Sequence, residues 1–125
     1  MATSPQYVSV PKTYTATLST ANPNRDGVTG QYVQIMTAGS NGSRIDKIVI
    51  CATGTTTDGM IRFFLNDSLI MEVPVTATTP SATTPAWSAE VTFVGGLILG
   101  AGAVLKASTE KTETFKVTVV NGGDF

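Results

Sequence analysis

The sequence predicts an all-β domain: an antiparallel β-sandwich of about eight strands, for which a jelly roll is the arrangement that fits two packed sheets. Three observations carry this. Apolar and polar residues alternate with period two along much of the chain. Turn signals recur at short, regular spacing, and no segment shows the apolar period of an amphipathic helix. Composition agrees, since 14% of the 125 residues are charged against the usual ~25%, while threonine and glycine are plentiful. A chain of this length fits one domain and buries roughly two-thirds of its unfolded surface, enough for a core without staples.

Taken in order, residues 1–12 place Pro5 and Pro11 around Tyr7, Val8 and Val10. Proline at both ends disfavours a helix, so an extended N-terminal arm is expected, ahead of a single sandwich domain at 13–125. The three apolar residues are the candidate interaction residues of the arm. From Thr13 onward Tyr14, Ala16 and Leu18 alternate with Thr13, Thr15 and Thr17, the pattern of a half-buried strand. Asn22–Gly27 is a loop, residues 31–38 return as a strand, and Gly39–Gly42 turns again.

Arg44–Thr53 is apolar with little alternation, which suggests a strand covered on both faces or broken by a bulge. Cys51 lies inside this run and is expected to be a small buried residue, and one cysteine cannot form an internal disulfide. Gly54 and Gly59 have the spacing of a phosphate-binding loop, but Met60 and Ile61 follow where that chemistry needs a lysine and a hydroxyl. The stretch therefore reads as a hairpin turn joining strands 44–53 and 60–65.

Asn66 and Asp67 make a second tight turn, and Leu69, Met71, Val73 and Val75 alternate beyond it. Pro74 lacks an N–H, so this strand should lie at a sheet edge or bear the proline on its unpaired side. Residues 76–85, TATTPSATTP, form a long exposed loop. Trp87, Ala89, Val91 and Phe93 alternate cleanly and should anchor the core. Leu97, Leu99, Leu105 and Ala107 bracket Gly100 to Gly102, where small residues let a strand bend or change sheets. Phe115, Val117 and Val119 close the pattern before the final Asn121–Phe125 stretch.

Little in this chain suggests chemistry. There is no histidine, the commonest general base and metal ligand. Asp46, Asp58, Asp67, Glu72, Glu90, Glu110 and Glu113 fall on turns or polar strand faces, where solvated surface is the ordinary role, although a pair of carboxylates could serve glycoside hydrolysis. For a cation the nearest candidates are Asp58, Asn66 and Asp67, expected at opposite ends of one strand. Neither an enzyme nor a metal or cofactor site is expected. Tyr7, Tyr14, Tyr32 and Trp87 could stack on sugars, but Tyr14 and Trp87 lie on apolar faces. A net charge of −1 leaves no basic stripe for nucleic acid, so none is expected as a partner. The start has no signal-peptide pattern and no run reaches membrane-spanning length, so the chain is expected to be made in a cytoplasm and to stay soluble, with no membrane partner.

Three stretches, GSRIDKIVICATGTTTDGMIRFFLND, VPVTATTPSATTPAWSAEV and LKASTEKTETFKVTVVNGGDF, carry a resemblance to the small β-sandwich virion proteins encoded beside capsid genes in tailed bacteriophages. It spans about Gly42 to Phe125. The resemblance implies a non-enzymatic decoration or cement protein on the exterior of the virion, bound outside the major capsid protein lattice. Dimers or trimers of this chain would stabilise the head. The alternative within the same class is a tail, baseplate or head-fibre component with a glycan- or receptor-binding sandwich. The resemblance transfers no functional residue, because the shared positions are those a fold needs.

Overall fold

The structure, a computed structural model, describes residues 8–125. Eight strands make up the regular structure: β1 (Val10–Leu18), β2 (Val33–Thr37), β3 (Ser43–Ala52), β4 (Gly59–Leu65), β5 (Ser68–Val75), β6 (Ser88–Leu99), β7 (Val104–Thr109) and β8 (Phe115–Asp124). They form two four-stranded antiparallel sheets, the first in order β1-β8-β3-β6 and the second in order β2-β7-β4-β5. The pairs β1–β8, β2–β7, β3–β6 and β4–β5 are those of one long hairpin rolled up about its tip. That is the strand order of a jelly roll.

The tip is the turn at Asn66 and Asp67, with φ of 49° and 69°. Two successive left-handed residues match the right-handed twist of the flanking strands, and Asn and Asp tolerate that conformation better than other side-chain-bearing residues. The hairpin expected across Gly54–Gly59 does not form. β3 and β4 lie in different sheets, so residues 53–58 cross the sandwich instead of returning beside the strand they left. Gly100 to Gly102 carries the chain from the first sheet into the second, as the small residues there suggest. Pro74 lies on β5, an edge strand, the position in a sheet where a missing N–H is tolerated.

Inward residues from both sheets build the core. Ile45, Ile48 and Ile50 of β3, Ile61 and Phe63 of β4, Leu105 of β7, and Phe115, Val117 and Val119 of β8 are fully buried. Each such side chain contributes roughly 1.5–3 kcal/mol by leaving water. Trp87, immediately before β6, packs edge-on against Phe115 with ring centroids 5.7 Å apart. The inward parity of Ile48, Ile50 and Ala52 sends Val49 and Cys51 outward. Cys51 is therefore exposed, not buried as its apolar neighbours suggested. The register shift between Ile45 and Lys47 places its extra residues in the partner β6, not in β3, which keeps its register with β8 throughout.

The N-terminal boundary also differs from expectation. Val10, Pro11 and Lys12 pair with Asp124, Gly123 and Gly122, so these residues begin β1 instead of belonging to a separate arm. β8 in turn runs on through Asn121 to Asp124, beyond the Val119 at which the sequence pattern ended. Asn121 adopts φ 57° where the β1–β8 register shifts.

Candidate interaction surface

The two sheets present different outer faces. On the second sheet, Ile61, Phe63, Leu105 and Ala107 point into the core, so Arg62, Phe64, Lys106 and Ser108 point out. Those outward residues are nonetheless covered, because the connection from β1 to β2 lies across them. Tyr32 meets Phe64 edge-on at 5.0 Å, and the Lys106 ammonium stands 4.9 Å over the Tyr32 ring. Lys106 also donates to the Gly27 carbonyl at 2.7 Å and pairs with Asp67. Arg25 reaches Glu72 at 2.9 Å, and Glu72 simultaneously accepts from Arg62 at 2.8 Å.

The strap is held in shape from within. Buried Asn22 donates through Nδ2 to the carbonyls of Thr29 and Gln31, and its Oδ1 accepts the Asn24 amide. Asp26 accepts from the Thr29 hydroxyl, the Thr29 and Val28 amides and the Tyr32 hydroxyl. Four donors favour the charged carboxylate, so Asp26 is held far below the ordinary range, the Thr29 hydroxyl being the largest cause.

The outer face of the first sheet is different. Along its middle it carries exposed Thr15, Thr17, Cys51, Ser88, Thr92 and Lys116. Its charged side chains are engaged mainly with neighbours on the same face. Lys47 pairs with Glu90, Arg44 with Asp46, and Lys116 donates to Thr17. At one end a register row runs Pro11, Gly123, Arg44, Ile98, and Ile98 is 57% exposed. Beside this row the edge strand β6 bulges. Ile45 pairs with Leu97 but Lys47 pairs with Thr92, so the chain between Thr92 and Leu97 loops out opposite Asp46 alone. Gly95 and Gly96 make the excursion at φ 81° and 85°, a conformation costly for other residues. Val94 stands at its tip, 100% exposed.

Of the residues singled out by sequence, Tyr7 lies outside the described residues. Val8 is half-buried on its own chain, with Cγ1 2.2 Å from where a Cβ on Gly123 would stand. Val10 begins edge strand β1 and is half-exposed. The aromatic candidates for sugar stacking are engaged elsewhere: Trp87 in the core, Tyr14 half-buried with its hydroxyl directed at Asp124, and Tyr32 between Phe64 and Lys106. Asp58 and the Asn66–Asp67 turn flank β4 at opposite ends. Among the described residues no three Cys, Asp or Glu side chains come together as a metal site.

Several carboxylates expected to be plain surface have work inside the fold: Glu72 and Glu110 flank buried Arg62, and Glu113 accepts from the Thr57 amide and hydroxyl. The sequence reading missed the Val94 knob. The Gly95-Gly96 pair inside a strand pattern was the signal that could have found it.

No family model and no curated protein matches the chain. Among solved structures it is similar to a family 35 carbohydrate-binding module from Clostridium thermocellum, at 18% identity and a TM-score of 0.43 over 86% of this chain and 96% of that one. A family 35 module from an environmental isolate gives 13% identity and the same TM-score over 87% and 88% of the two chains. Dimeric latent PorU from Porphyromonas gingivalis gives 9% identity and a TM-score of 0.41, over 94% of this chain and 13% of that one. Likeness at these values says nothing about a ligand.

Proposed function

We propose that this protein is a non-enzymatic structural component of a bacteriophage virion, a decoration protein that binds the outside of the major capsid protein lattice and stabilises the head. The observation that carries the reading is the inequality of the two outer faces. One is covered by the β1–β2 connection, on which Val28 is itself exposed, while the other is an uncovered sheet ending in exposed Ile98 and the fully exposed Val94 of an edge strand. Exposed apolar groups beside an unpaired strand edge favour association with another chain.

A decoration protein acts by burying surface across capsomer seams, on the order of 1,600 Å² for a specific contact. It stabilises the assembled shell because it binds that state and not the dissociated one. Lattice symmetry repeats each contact, and an oligomer bridging two capsomers raises the effective concentration of its second contact. The protein's copy number in purified particles, measured by quantitative mass spectrometry against the major capsid protein, tests the reading. Hundreds of copies support a lattice-wide role. A handful would shift the assignment to a tail, baseplate or fibre, and absence from particles would end the virion reading.

A further inference from the structure

Ser108 of β7 stands directly opposite Arg62 of β4, on the face that the β1–β2 connection covers. It is 2% exposed, and its hydroxyl has no hydrogen-bond partner among the protein's atoms. A buried hydroxyl is costly to leave unpaired, so its surroundings identify what serves it.

Those surroundings are a small cleft produced by the topology. On one side of β7, Val33 of β2 pairs with Ala107. One residue further along, the Asn22 amide donates to the Thr109 carbonyl at 2.8 Å, and Ala21 forms a parallel bridge with Thr109. Ser108 thus lies where the outgoing and returning ends of the connection diverge from β7. The gap has a volume of about 30 Å³, and its polar walls besides Ser108 are Ser19, Thr20, Gln31 and Thr109.

Size and chemistry select the occupant. One water needs roughly 10–15 Å³ of such space and two to four polar partners. A small-molecule pocket is about tenfold larger or more. No charged side chain lines the gap, so nothing there favours an ion over a neutral molecule. We propose that the cleft, open to solvent where Ser19, Thr20 and Gln31 line it, is a hydration site holding two ordered waters, the inner one bonded to the Ser108 hydroxyl. Together they join residues 19–20 and 31 to β7, so water completes the attachment of the strap at its root.

A crystal structure of the full chain, at a resolution that orders solvent, tests this directly. The expected result is a water within about 3.2 Å of Ser108 Oγ, with a second in the same cleft. An empty cleft, or a Ser108 hydroxyl bonded to a protein group instead, would overturn the proposal. Urea unfolding of Ser108→Ala supplies an independent sign. Loss of a water-bonded hydroxyl lowers the midpoint, whereas loss of an unpaired one leaves it unchanged or raises it, and that outcome too would overturn the site.

Discussion

Arg62 donates from Nε to Glu72 Oε2 at 2.8 Å across the β4–β5 pair, and this arginine, although on an outer face, is only 1% exposed. Glu72 also holds Arg25, so one carboxylate ties the strap to the sheet and neutralises the buried guanidinium beneath it. Glu110, at 3.6 Å, is the second anion beside Arg62.

Removing Glu72 should therefore hurt more than removing Arg25. Glu72→Ala leaves a buried cation with one distant partner, whereas Arg25→Ala removes an exposed one. Thermal melts should rank wild type, then Arg25→Ala, then Glu72→Ala. Arg62→Met replaces the buried charge with an apolar chain of similar length and is expected to fall within about 1 kcal/mol of wild type or above it.

Stability should be level near neutrality and fall in acid. Glu72 is held below its ordinary value by hydrogen bonds from Arg25 and then Arg62, Asp124 by those from Lys12 and then Ser43, and Asp26 by Thr29. A carboxyl whose folded value is depressed binds more protons when unfolded, so its contribution is present above the unfolded value and vanishes as pH drops toward the folded one. Melting temperatures recorded from pH 7 downward should begin to decline at about pH 4–5. Asp26→Asn should flatten part of that decline.

The alkaline side has the opposite sign. The hydrogen bond to Asp124 raises Lys12 above its ordinary 10.5, and burial raises Tyr14 above 10.0. Both contributions are complete below those values and disappear as pH climbs through the raised ones. Lys12→Met should remove the lysine's share of the alkaline loss, visible as a flatter melting profile above pH ~10.

Gly27 anchors the strap where no side chain fits. Its φ is 77°, and an added Cβ would stand 2.2 Å from the Asp67 carbonyl oxygen. Gly27→Ala should displace the strap and cost more than ~1 kcal/mol, since strain and a steric clash act together. Faster amide hydrogen exchange confined to residues 22–32 and their contacts on the second sheet would verify it.

Val94 gives the functional counterpart. A fully exposed side chain contributes nothing to packing, so Val94→Asp should leave the unfolding free energy from urea titration within about 0.5 kcal/mol of wild type. On the proposed reading the same change abolishes binding to empty heads. Retained binding would remove the knob from the interface.

Where local chemistry decides, the sequence was readable. Period-two alternation located the strands, Asn66-Asp67 the tight turn, Pro74 the edge and Gly100–Gly102 the change of sheet. What it could not resolve is partner choice. Gly54–Gly59 looks the same to a chain returning beside its strand as to one crossing a sandwich, and the contacts that decide are distant in sequence. Cys51 was misplaced because Val49 and Cys51 are apolar on an outward face, which erased the alternation that would have betrayed its direction. Arg62 sat in an apolar run as though it were an ordinary outward charge. Its burial depends on residues distant in sequence: Glu72 and Glu110 neutralise it, and the connection that brings Tyr32 onto Phe64 and Arg25 onto Glu72 covers its face.

The strap over the second sheet has a further consequence. Another chain could lie flat on that sheet only after the connection had lifted, and Lys106 on the Gly27 carbonyl and Glu72 on Arg25 hold it in place. On the proposed reading, association is thereby steered to the uncovered sheet and to its β6 edge.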